Sequence, residues 1–334
     1  MHTFSQYWVF LAETITVVFA ILVIAFGLMV LFSKNKSSDR SRIEIKKLND
    51  CYDDLRDQLQ ENVLDKKEFK RYIKDEKKRE KEAAHEKTER KRLFVIKFDG
   101  DMKASAVTHL REEITAVLTI ATPKDEVAVL IETGGGFTHA YGLASSQLQR
   151  LRDRHIPLTT IIDKIGASGG YMMACVGNRI LAAPFAIVGS IGVVGQLPNF
   201  HRWLKKNDID YELETAGEYK RTLTMLGENT DKAREKFRAE IEDVHVLFKQ
   251  FVSLHRPQVN IKEIATGEHW FGQRALEKNL VDELTTSDDY LFAQSKIADL
   301  YLIRHQSKKS LSERLFSAST QMLSRVFGGA KGFF

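Results

Sequence analysis

The residues best able to do chemistry lie in one glycine-rich stretch, 163–174, where Ser168 stands between Gly166 and Gly170. The apolar residues 157–162 before it predict a strand, and the small residues after it predict a helix. A serine at such a junction exposes its hydroxyl beside the free N–H groups of the helix start. A nucleophilic serine needs this setting, although a glycine-rich turn whose serine merely caps the helix fits the same residues.

A second glycine-rich loop, Thr133-Gly134-Gly135-Gly136, directly follows another apolar run, 127–131. If both runs are strands of a parallel sheet, the two loops emerge at the same edge. Consecutive glycines there can direct backbone N–H groups at an oxyanion, as acyl transfer requires. A permissive turn is the simpler interpretation of three glycines alone, but two such loops at successive strand ends favour the functional one.

A nucleophilic serine also needs a base, commonly a histidine and less often a neutral lysine. The histidines downstream of Ser168 are His201, His245, His255, His269 and His305. The lysine candidate is Lys220, which follows a predicted strand, 211–215, and so could lie at a strand end. Its pKa would have to fall from about 10.4 towards about 7 through burial. Spacing alone does not choose among these residues.

Strands and helices alternate through the body of the chain. Apolar runs predict strands at 93–98, 127–131 and 157–162, and helical periodicity predicts helices over 105–120 and 139–154. Strands that are apolar on both faces and alternate with helices indicate an α/β domain with largely parallel pairing. A later helix is predicted over 231–255. A further helix is predicted over 310–327, and both a membrane surface and a partner protein fit its apolar face.

Residues 14–33 form an uncharged run of twenty, mostly apolar side chains. At 1.5 Å per residue a helix of this length spans about 30 Å, the thickness of the hydrocarbon core. A retained membrane anchor is therefore predicted in preference to a cleaved signal peptide, since no Lys or Arg precedes the run. A second uncharged run, 180–198, contains Pro184, Gly189, Gly192 and Gly195 and predicts short strands joined by turns.

Charge is concentrated in the segment that follows the anchor. Residues 34–92 contain 20 basic and 15 acidic residues, which with Glu13 leaves 30 basic and 29 acidic residues for 93–334. The nearly neutral body argues against a nucleic-acid partner, because binding to phosphates needs a basic face. An apolar stripe predicts a helix over 40–73, followed by a flexible charged segment. The basic residues just after the anchor favour a cytoplasmic body.

Three motifs resemble one known family. Gly-Ala-Ser-Gly-Gly-Tyr-Met-Met-Ala at 166–174, Gly-Ser-Ile-Gly-Val at 189–193 and Gly-Glu-Tyr-Lys-Arg at 217–221 are similar to the signal peptide peptidase A family of membrane serine peptidases. The resemblance implies that Ser168 is the nucleophile, that Lys220 is the general base of a Ser–Lys dyad and that Ser190 orients the lysine. It also implies a fold of the ClpP/crotonase type, a spiral of ββα units that usually assembles into rings.

One loop departs from the family pattern. The family usually has Ser-Pro-Gly-Gly where this chain has Thr133-Gly134-Gly135-Gly136. The last two glycines are kept, but the missing proline no longer fixes a φ angle. We therefore expect a looser loop and weaker activity than in the usual member.

Together these features predict a membrane-anchored serine endopeptidase. Its expected parts are an anchor (1–33), a charged helical connector (34–92), a ClpP/crotonase-like α/β peptidase domain (93–290) and a tail (291–334). The Gly135 and Gly169 amides are expected to hold the oxyanion, with no metal or cofactor. The expected partners are a peptide or protein substrate, the lipid bilayer and further copies of the chain.

The expected location is the bacterial inner membrane, where the family analogy favours the periplasmic side and the flanking charges favour the cytoplasm. Two alternatives fit parts of the sequence. One is an α/β-hydrolase-type esterase with a Ser–His pair, because Gly166-x-Ser168-x-Gly170 also fits its nucleophile elbow. The other is a non-enzymatic membrane scaffold on the same fold.

Overall fold

A computed structural model describes residues 10–11, 13–21, 42–85 and 90–306 of the chain. The chain divides into two units, residues 1–42 with 305–334 and residues 43–304. In the first unit, residues 10–11 and 13–21 are helical. Within the described ranges, no helix has both the length and the apolar character that crossing a bilayer requires. Residues 22–33 of the predicted anchor and the predicted helix 310–327 lie outside those ranges.

A seven-stranded sheet forms the centre of the second unit. Its strands are β1 (Arg42–Lys47), β2 (Lys91–Asp99), β3 (Glu126–Glu132), β4 (Leu158–Ile162), β6 (Arg179–Ala182), β9 (Glu283–Leu284) and β10 (Ala298–Gln306). They lie in the order β1-β10-β2-β3-β4-β6-β9. The pairs from β10 to β9 are parallel, as the apolar runs predicted. Strands β3 and β4 are almost entirely buried, as is the middle of β2.

A small second sheet carries the loops of interest. It contains β5 (Ile165–Ala167), β7 (Ile187–Gly189) and β8 (His269–Phe271) in the order β5-β7-β8. Thr133, just after β3, forms a parallel bridge with Gly166 in β5. The two glycine-rich loops therefore meet at one edge, which confirms the prediction from their positions after successive strands.

The helices cover the sheet and complete its core. They are α1 (Leu48–Val63), α2 (Lys66–His85), α3 (Val107–Leu118), α4 (Thr138–Arg152), α5 (Gly169–Ala174), α6 (His201–Lys206), α7 (Asp231–His255), α8 (Ile261–Ile264), α9 (Gly272–Glu277) and α10 (Ser287–Ser295). Alternating strands and helices make this a mixed α/β fold. The α7 helix has the predicted bounds, and the Thr230 side chain caps it by accepting from the Ala233 N–H.

The charged connector departs from its prediction at both ends. Residues 42–47 form β1 in the main sheet instead of the start of a helix, and α2 continues to His85 through part of the segment expected to be flexible. The buried amide of Asn49 donates to the carbonyls of Ser295 and Ala298 and accepts from the Leu300 N–H. The connector is thus attached to the domain through the start of α1.

Residues 193–230, here called the exposed segment, contain little regular structure apart from α6. The strand predicted over 211–215 is wrong, because these residues have no ladder partner and are fully on the surface. Apolar side chains of the segment face solvent, including Val194 at 78% and Trp203 at 60% exposure. In the run 180–198, by contrast, β6 and β7 confirm the prediction of short strands joined by turns.

Candidate active site

Ser168 occupies a strained turn between β5 and α5. Its backbone has φ 52° and ψ −117°, a combination that residues with a Cβ rarely adopt. The Ser168 N–H donates to the Gly189 carbonyl at 2.7 Å, and the Ser168 carbonyl accepts from the Met172 N–H at 2.9 Å. These two bonds hold the backbone in place and leave the half-buried side chain at the start of the helix. A sharp strand-to-helix turn of this kind is how a nucleophile elbow presents its hydroxyl.

The loop after β3 lies directly against this elbow. Gly135 has φ +88°, and a Cβ added there would come within 2.6 Å of the Gly169 nitrogen and 2.8 Å of the Ser168 Cβ. Only glycine fits a position with this φ angle and this contact. The structure thus brings Gly135, Ser168 and Gly169 together, as the sequence predicted. The Gly169 amide is at the first position of α5, where helix geometry provides no intrahelical acceptor.

A chain of hydrogen bonds supports the Gly135 loop from behind. The Gly135 N–H donates to the Thr133 Oγ1 at 3.1 Å, and this oxygen is 2.5 Å from the Tyr141 hydroxyl. The Tyr141 hydroxyl donates to the Asp101 carbonyl at 2.6 Å. Burial raises the pKa of Tyr141, so the phenol stays protonated over the physiological range. Thr133 and Tyr141 are both buried, so water does not compete for these bonds.

Ser190 lies beside the nucleophile through the pairing of β5 with β7. Ala167 pairs with Gly189, so the residues that follow, Ser168 and Ser190, leave neighbouring strands. Ser190 also has a positive φ of 52°, and its N–H donates to the Glu268 carbonyl at 2.7 Å. Its half-buried position next to the elbow is compatible with an orienting role.

A pocket of about 80 Å³ opens beside Ser168. Its lining residues are Gly136, Thr138, Ser168, Gly169, Met172, Gly192, Val193, Val194 and Phe248. Four of these residues contribute apolar side chains, among them the buried Met172 and Phe248, and the other five present backbone or hydroxyl groups. The pocket therefore has a mixed polar and apolar lining and suits one small side chain next to the serine hydroxyl.

Lys220 is not among the residues that line this pocket. It lies in the exposed segment, where its N–H donates to the Gly217 carbonyl at 3.1 Å in a turn. Its side chain is exposed. Within the part of the chain that the structure describes, no hydrogen bond joins Lys220 to Ser168 or Ser190. The structure therefore assembles the nucleophile and the two glycine amides, and it leaves the predicted base apart from them.

The histidines do not line the pocket beside Ser168 either. None of the pocket-lining residues is a histidine, and His255 is engaged with the Phe251 carbonyl and the Gln149 side chain. His201, His245 and His269 are also outside the pocket lining. Among the described residues, no group of three or more His, Cys, Asp or Glu side chains could hold a metal ion.

Sequence reasoning missed two residues of this site. Tyr141 lies within α4, and Phe248 lies within α7, so each looked like an ordinary core position of its helix. Phe248 was not singled out in the sequence, although it and Val252 are the buried residues of α7. For Tyr141 no local signal exists, because its hydroxyl partners come from two other loops.

Comparison with known proteins places these features in a family. A family model described as "Peptidase family S49 N-terminal" matches residues 2–148, and one described as "Peptidase family S49" matches residues 150–300. A "Probable protease SohB" from Haemophilus influenzae is 45% identical over 322 residues, which cover 93% of this chain and 91% of the relative. One of the same name from Buchnera aphidicola subsp. Acyrthosiphon pisum is 45% identical over 329 residues, covering 98% and 97%.

These relatives bear the name SohB, the branch of the signal peptide peptidase A family to which the anchor, the charged connector and the motif at 267–272 of this chain are most similar. The resemblance inferred from the motifs at 166–174, 189–193 and 217–221 is thereby confirmed.

Proposed function

The chain belongs to peptidase family S49 and is a protease, and from this premise we propose that it is a membrane-anchored serine endopeptidase. Ser168 is the nucleophile, Lys220 is the general base, and Ser190 orients the lysine. Residues 14–33 form the anchor. We also propose that the α/β fold is of the ClpP/crotonase type, a spiral of ββα units. The strained Ser168 turn, packed against Gly135 beside an open pocket, is the observation that carries the proposal.

The proposed reaction is acyl transfer to serine. Lys220, in its neutral form, takes the hydroxyl proton while the Ser168 Oγ forms a bond to the substrate carbonyl carbon. The N–H groups of Gly135 and Gly169 donate to the oxyanion of the tetrahedral intermediate, and Lys220 returns the proton to the leaving amine. Water then attacks the acyl-enzyme by the same route and releases the acid. Every step uses side chains and backbone of the protein, so this mechanism needs no metal or cofactor.

The position of Lys220 supports a proposal about assembly. The exposed segment that carries it presents Val194, Trp203 and Tyr219 to solvent at 78%, 60% and 49% exposure. An uncovered apolar surface of this kind marks an interaction site. We propose that a second copy of the chain covers the segment, so that the protein is a homo-oligomer. Covering it buries Lys220, and burial is what lowers the pKa of a lysine towards the range of a general base.

The pocket supports a proposal about the substrate. A volume of about 80 Å³ with a partly apolar lining accepts a small side chain next to the scissile bond. Such residues abound in signal-peptide remnants and in membrane-derived or misfolded polypeptides, which we propose as the substrate class. The proposed location is the bacterial inner membrane. The basic residues after the anchor favour a cytoplasmic peptidase domain, and the family analogy favours the periplasm.

The test compares full-length protein, purified in detergent, with its Ser168→Ala and Lys220→Ala variants on casein. Lys206→Ala is the matched control, because Lys206 is an exposed lysine of the same segment. We expect both dyad variants to lose at least about 10³-fold in cleavage rate and the control to keep it. Circular dichroism and melting temperature verify that each variant is folded.

The other outcomes separate the alternatives. If Ser168→Ala is inactive while Lys220→Ala cleaves like wild type, the base is another residue and the dyad is wrong. If the folded wild type cleaves neither casein nor a peptide from a signal sequence in lipid vesicles, the scaffold alternative replaces the enzyme. Cleavage of a p-nitrophenyl ester without any peptide cleavage would favour the esterase alternative.

A further inference from the structure

The loop that carries the proposed oxyanion donor has no side chains of its own to fix it. Gly134, Gly135 and Gly136 are consecutive, and the proline common at the first of these positions is missing. Glycine has the largest conformational entropy of any residue, so the loop needs other contacts to hold one conformation. One bond at its centre does so, from the Gly135 N–H to the Thr133 Oγ1 at 3.1 Å.

The direction of the bonds behind this contact follows from counting protons. The Tyr141 hydroxyl has one proton, and the Asp101 carbonyl can only accept, so the phenol donates to it. The 2.5 Å contact between Tyr141 and Thr133 must then be a bond donated by the threonine hydroxyl. With its only proton directed at Tyr141, the Thr133 Oγ1 presents lone pairs to the Gly135 N–H. The order is therefore Gly135 to Thr133 to Tyr141 to Asp101.

The ring of Tyr141 touches the other side of the same site. A Cβ added to Gly169 would lie 2.4 Å from the Tyr141 Cγ, so the ring is packed against the backbone that follows Ser168. Its edge contacts Phe98, with ring centroids 6.3 Å apart. Tyr141 is fully buried and held in one orientation by packing. One side chain thus contacts both parts of the proposed oxyanion hole, the Gly135 loop through its hydroxyl and Gly169 through its ring.

We propose that Tyr141 is a positioning residue that acts through the Thr133 hydroxyl to hold the Gly135 amide beside Ser168. The proposal rests on the function proposed above for Ser168 and Gly135. A bond of 3.1 Å is at the long end of the N–H···O range, and an amide proton can be shared between two acceptors. During the reaction the oxyanion becomes the second acceptor of the Gly135 N–H. The bond to the Thr133 Oγ1 therefore aligns this amide and leaves it able to donate to the oxyanion. In a low-dielectric site the polarised bonds of such a chain reinforce one another.

The test measures kcat and KM of the full-length protein on a fluorogenic peptide that spans a casein bond cut by the wild type. Tyr141→Phe keeps the ring and removes the hydroxyl, and Thr133→Val removes the second member of the chain. We expect each to lower kcat about tenfold, less than the 10²- to 10³-fold loss that follows removal of a donor itself, with KM within about twofold of wild type. Thr133→Ser keeps the hydroxyl and should retain wild-type kcat.

Non-additivity distinguishes positioning from general support of the fold. Both residues act on one amide, so Tyr141→Phe combined with Thr133→Val should lose no more than Thr133→Val alone. The matched control is Tyr290→Phe, which also removes a hydrogen bond made by a buried tyrosine hydroxyl. The partner of Tyr290 is Glu126, which lies at the start of β3, at the other end of that strand from Thr133. Tyr290→Phe should keep wild-type kcat even if the melting temperature falls. Equal loss of kcat in Tyr290→Phe and Tyr141→Phe would overturn the proposal.

A second measurement does not depend on activity. In the Ser168→Ala background, amide hydrogen exchange of the peptide covering residues 133–137 should speed up in Tyr141→Phe and not in Tyr290→Phe. Unchanged exchange there, or unchanged kcat in the active background, would overturn the proposal. If Ser168→Ala still cleaves the peptide at the wild-type rate, the proposed function fails, whereas the exchange result still decides whether Tyr141 orders the loop.

Discussion

Two adjacent stretches of the chain each contain a predicted catalytic residue, yet they differ in almost every structural respect. Residues 163–192 carry Ser168, and they are mostly buried, paired in a second sheet and bonded to the loop after β3. The exposed segment, 193–230, carries Lys220 and has little regular structure or burial. The predicted nucleophile and the two glycine amides are thus brought together by contacts within one chain. The predicted base lies in a stretch that is mostly exposed.

The difference has a physical origin in side-chain size. Small residues around Ser168 let backbones approach closely, so that a Cβ at Gly135, Gly169 or Gly170 would lie within 3.0 Å of a neighbouring atom. The exposed segment instead has large apolar side chains without a covering surface, and a Cβ at Gly217 would meet open space. Close approach fixes the first stretch locally, whereas around Gly217 the second stretch has no such contacts.

The largest expected effect is that of Gly135→Ala, which is compared with the same substitution at Gly217 in the exposed segment. Gly135→Ala combines an unfavourable φ of +88° with a clash against Ser168 and Gly169, so we expect at least about 10²-fold loss of peptide cleavage. Gly217→Ala has a similar φ of +98° but open space, and it should cost about 1 kcal/mol of stability and less than about threefold in activity. Kinetics and thermal melts of both variants check this. Equal effects at the two glycines would remove the contrast between the regions.

A charge placed on the exposed segment should separate assembly from fold. Trp203→Glu puts a carboxylate on the proposed surface between copies, where an unpaired buried charge is costly. We expect sedimentation velocity to show smaller species and activity to fall about tenfold, with an unchanged melting profile of the monomer. Ile297→Glu, on an equally exposed apolar residue outside the segment, is the control and should leave the assembly intact. A Trp203→Glu protein with wild-type size and activity would contradict the proposed oligomer surface.

Far from the site, Glu126 gives a test of stability that should leave the catalytic contrast unchanged. Although burial raises its pKa, hydrogen bonds from Lys91, Thr159 and Tyr290 hold the pKa of Glu126 below its ordinary value. A carboxyl with a lowered folded-state pKa adds stability above its unfolded pKa and loses it as pH falls through the folded value. Glu126→Gln should therefore cost about 1–2 kcal/mol at pH 7, with a difference from wild type that closes below about pH 4. Urea unfolding across pH measures it, and a constant difference would refute the assignment.

The smallest expected effect is at the loop position where the family usually has proline. A Cβ at Gly134 would make only an ordinary 3.5 Å contact with Ile165, and its φ lies outside the positive range. Gly134→Pro should therefore fit and reduce the freedom of the loop before substrate arrives. We expect about a two- to threefold rise in kcat, which corresponds to a few tenths of a kcal/mol in the activation free energy. No gain, or a loss, would show that the missing proline does not limit activity.

Much of the fold could be predicted because its strands are apolar on both faces. The predicted strands 93–98, 127–131 and 157–162 correspond to β2, β3 and β4 within two residues, and α7 has its predicted bounds. The predictions that failed include residues 42–47, which were expected to be helical and form β1, and residues 211–215, which were expected to form a strand and do not. In β1, Arg42–Lys47 alternates charged and apolar residues at an edge and lacks the buried pattern of the central strands. Residues 211–215 have strand-like composition, but no neighbouring strand pairs with them.

The candidate site was predictable to the extent that topology decides it. Two loops after parallel strands must share an edge, so Gly135 and Ser168 could be placed together from the sequence. The contact between Thr133 and Tyr141 could not, because it depends on how α4 is rotated against the sheet. The position of Lys220 could not be predicted either, since the strand assumed to carry it does not form. Its role as general base remains a prediction.

The position of β10 has a consequence for how the protein folds during its synthesis. This strand, Ala298–Gln306, lies between β1 and β2, so the last strand that the structure describes separates two of the first. During synthesis from the N-terminus, β2 has an unpaired edge until about residue 300 has left the ribosome. Contacts of such long sequence separation form slowly. We therefore expect the sheet beside the Ser168 loop to be completed only when translation is almost finished.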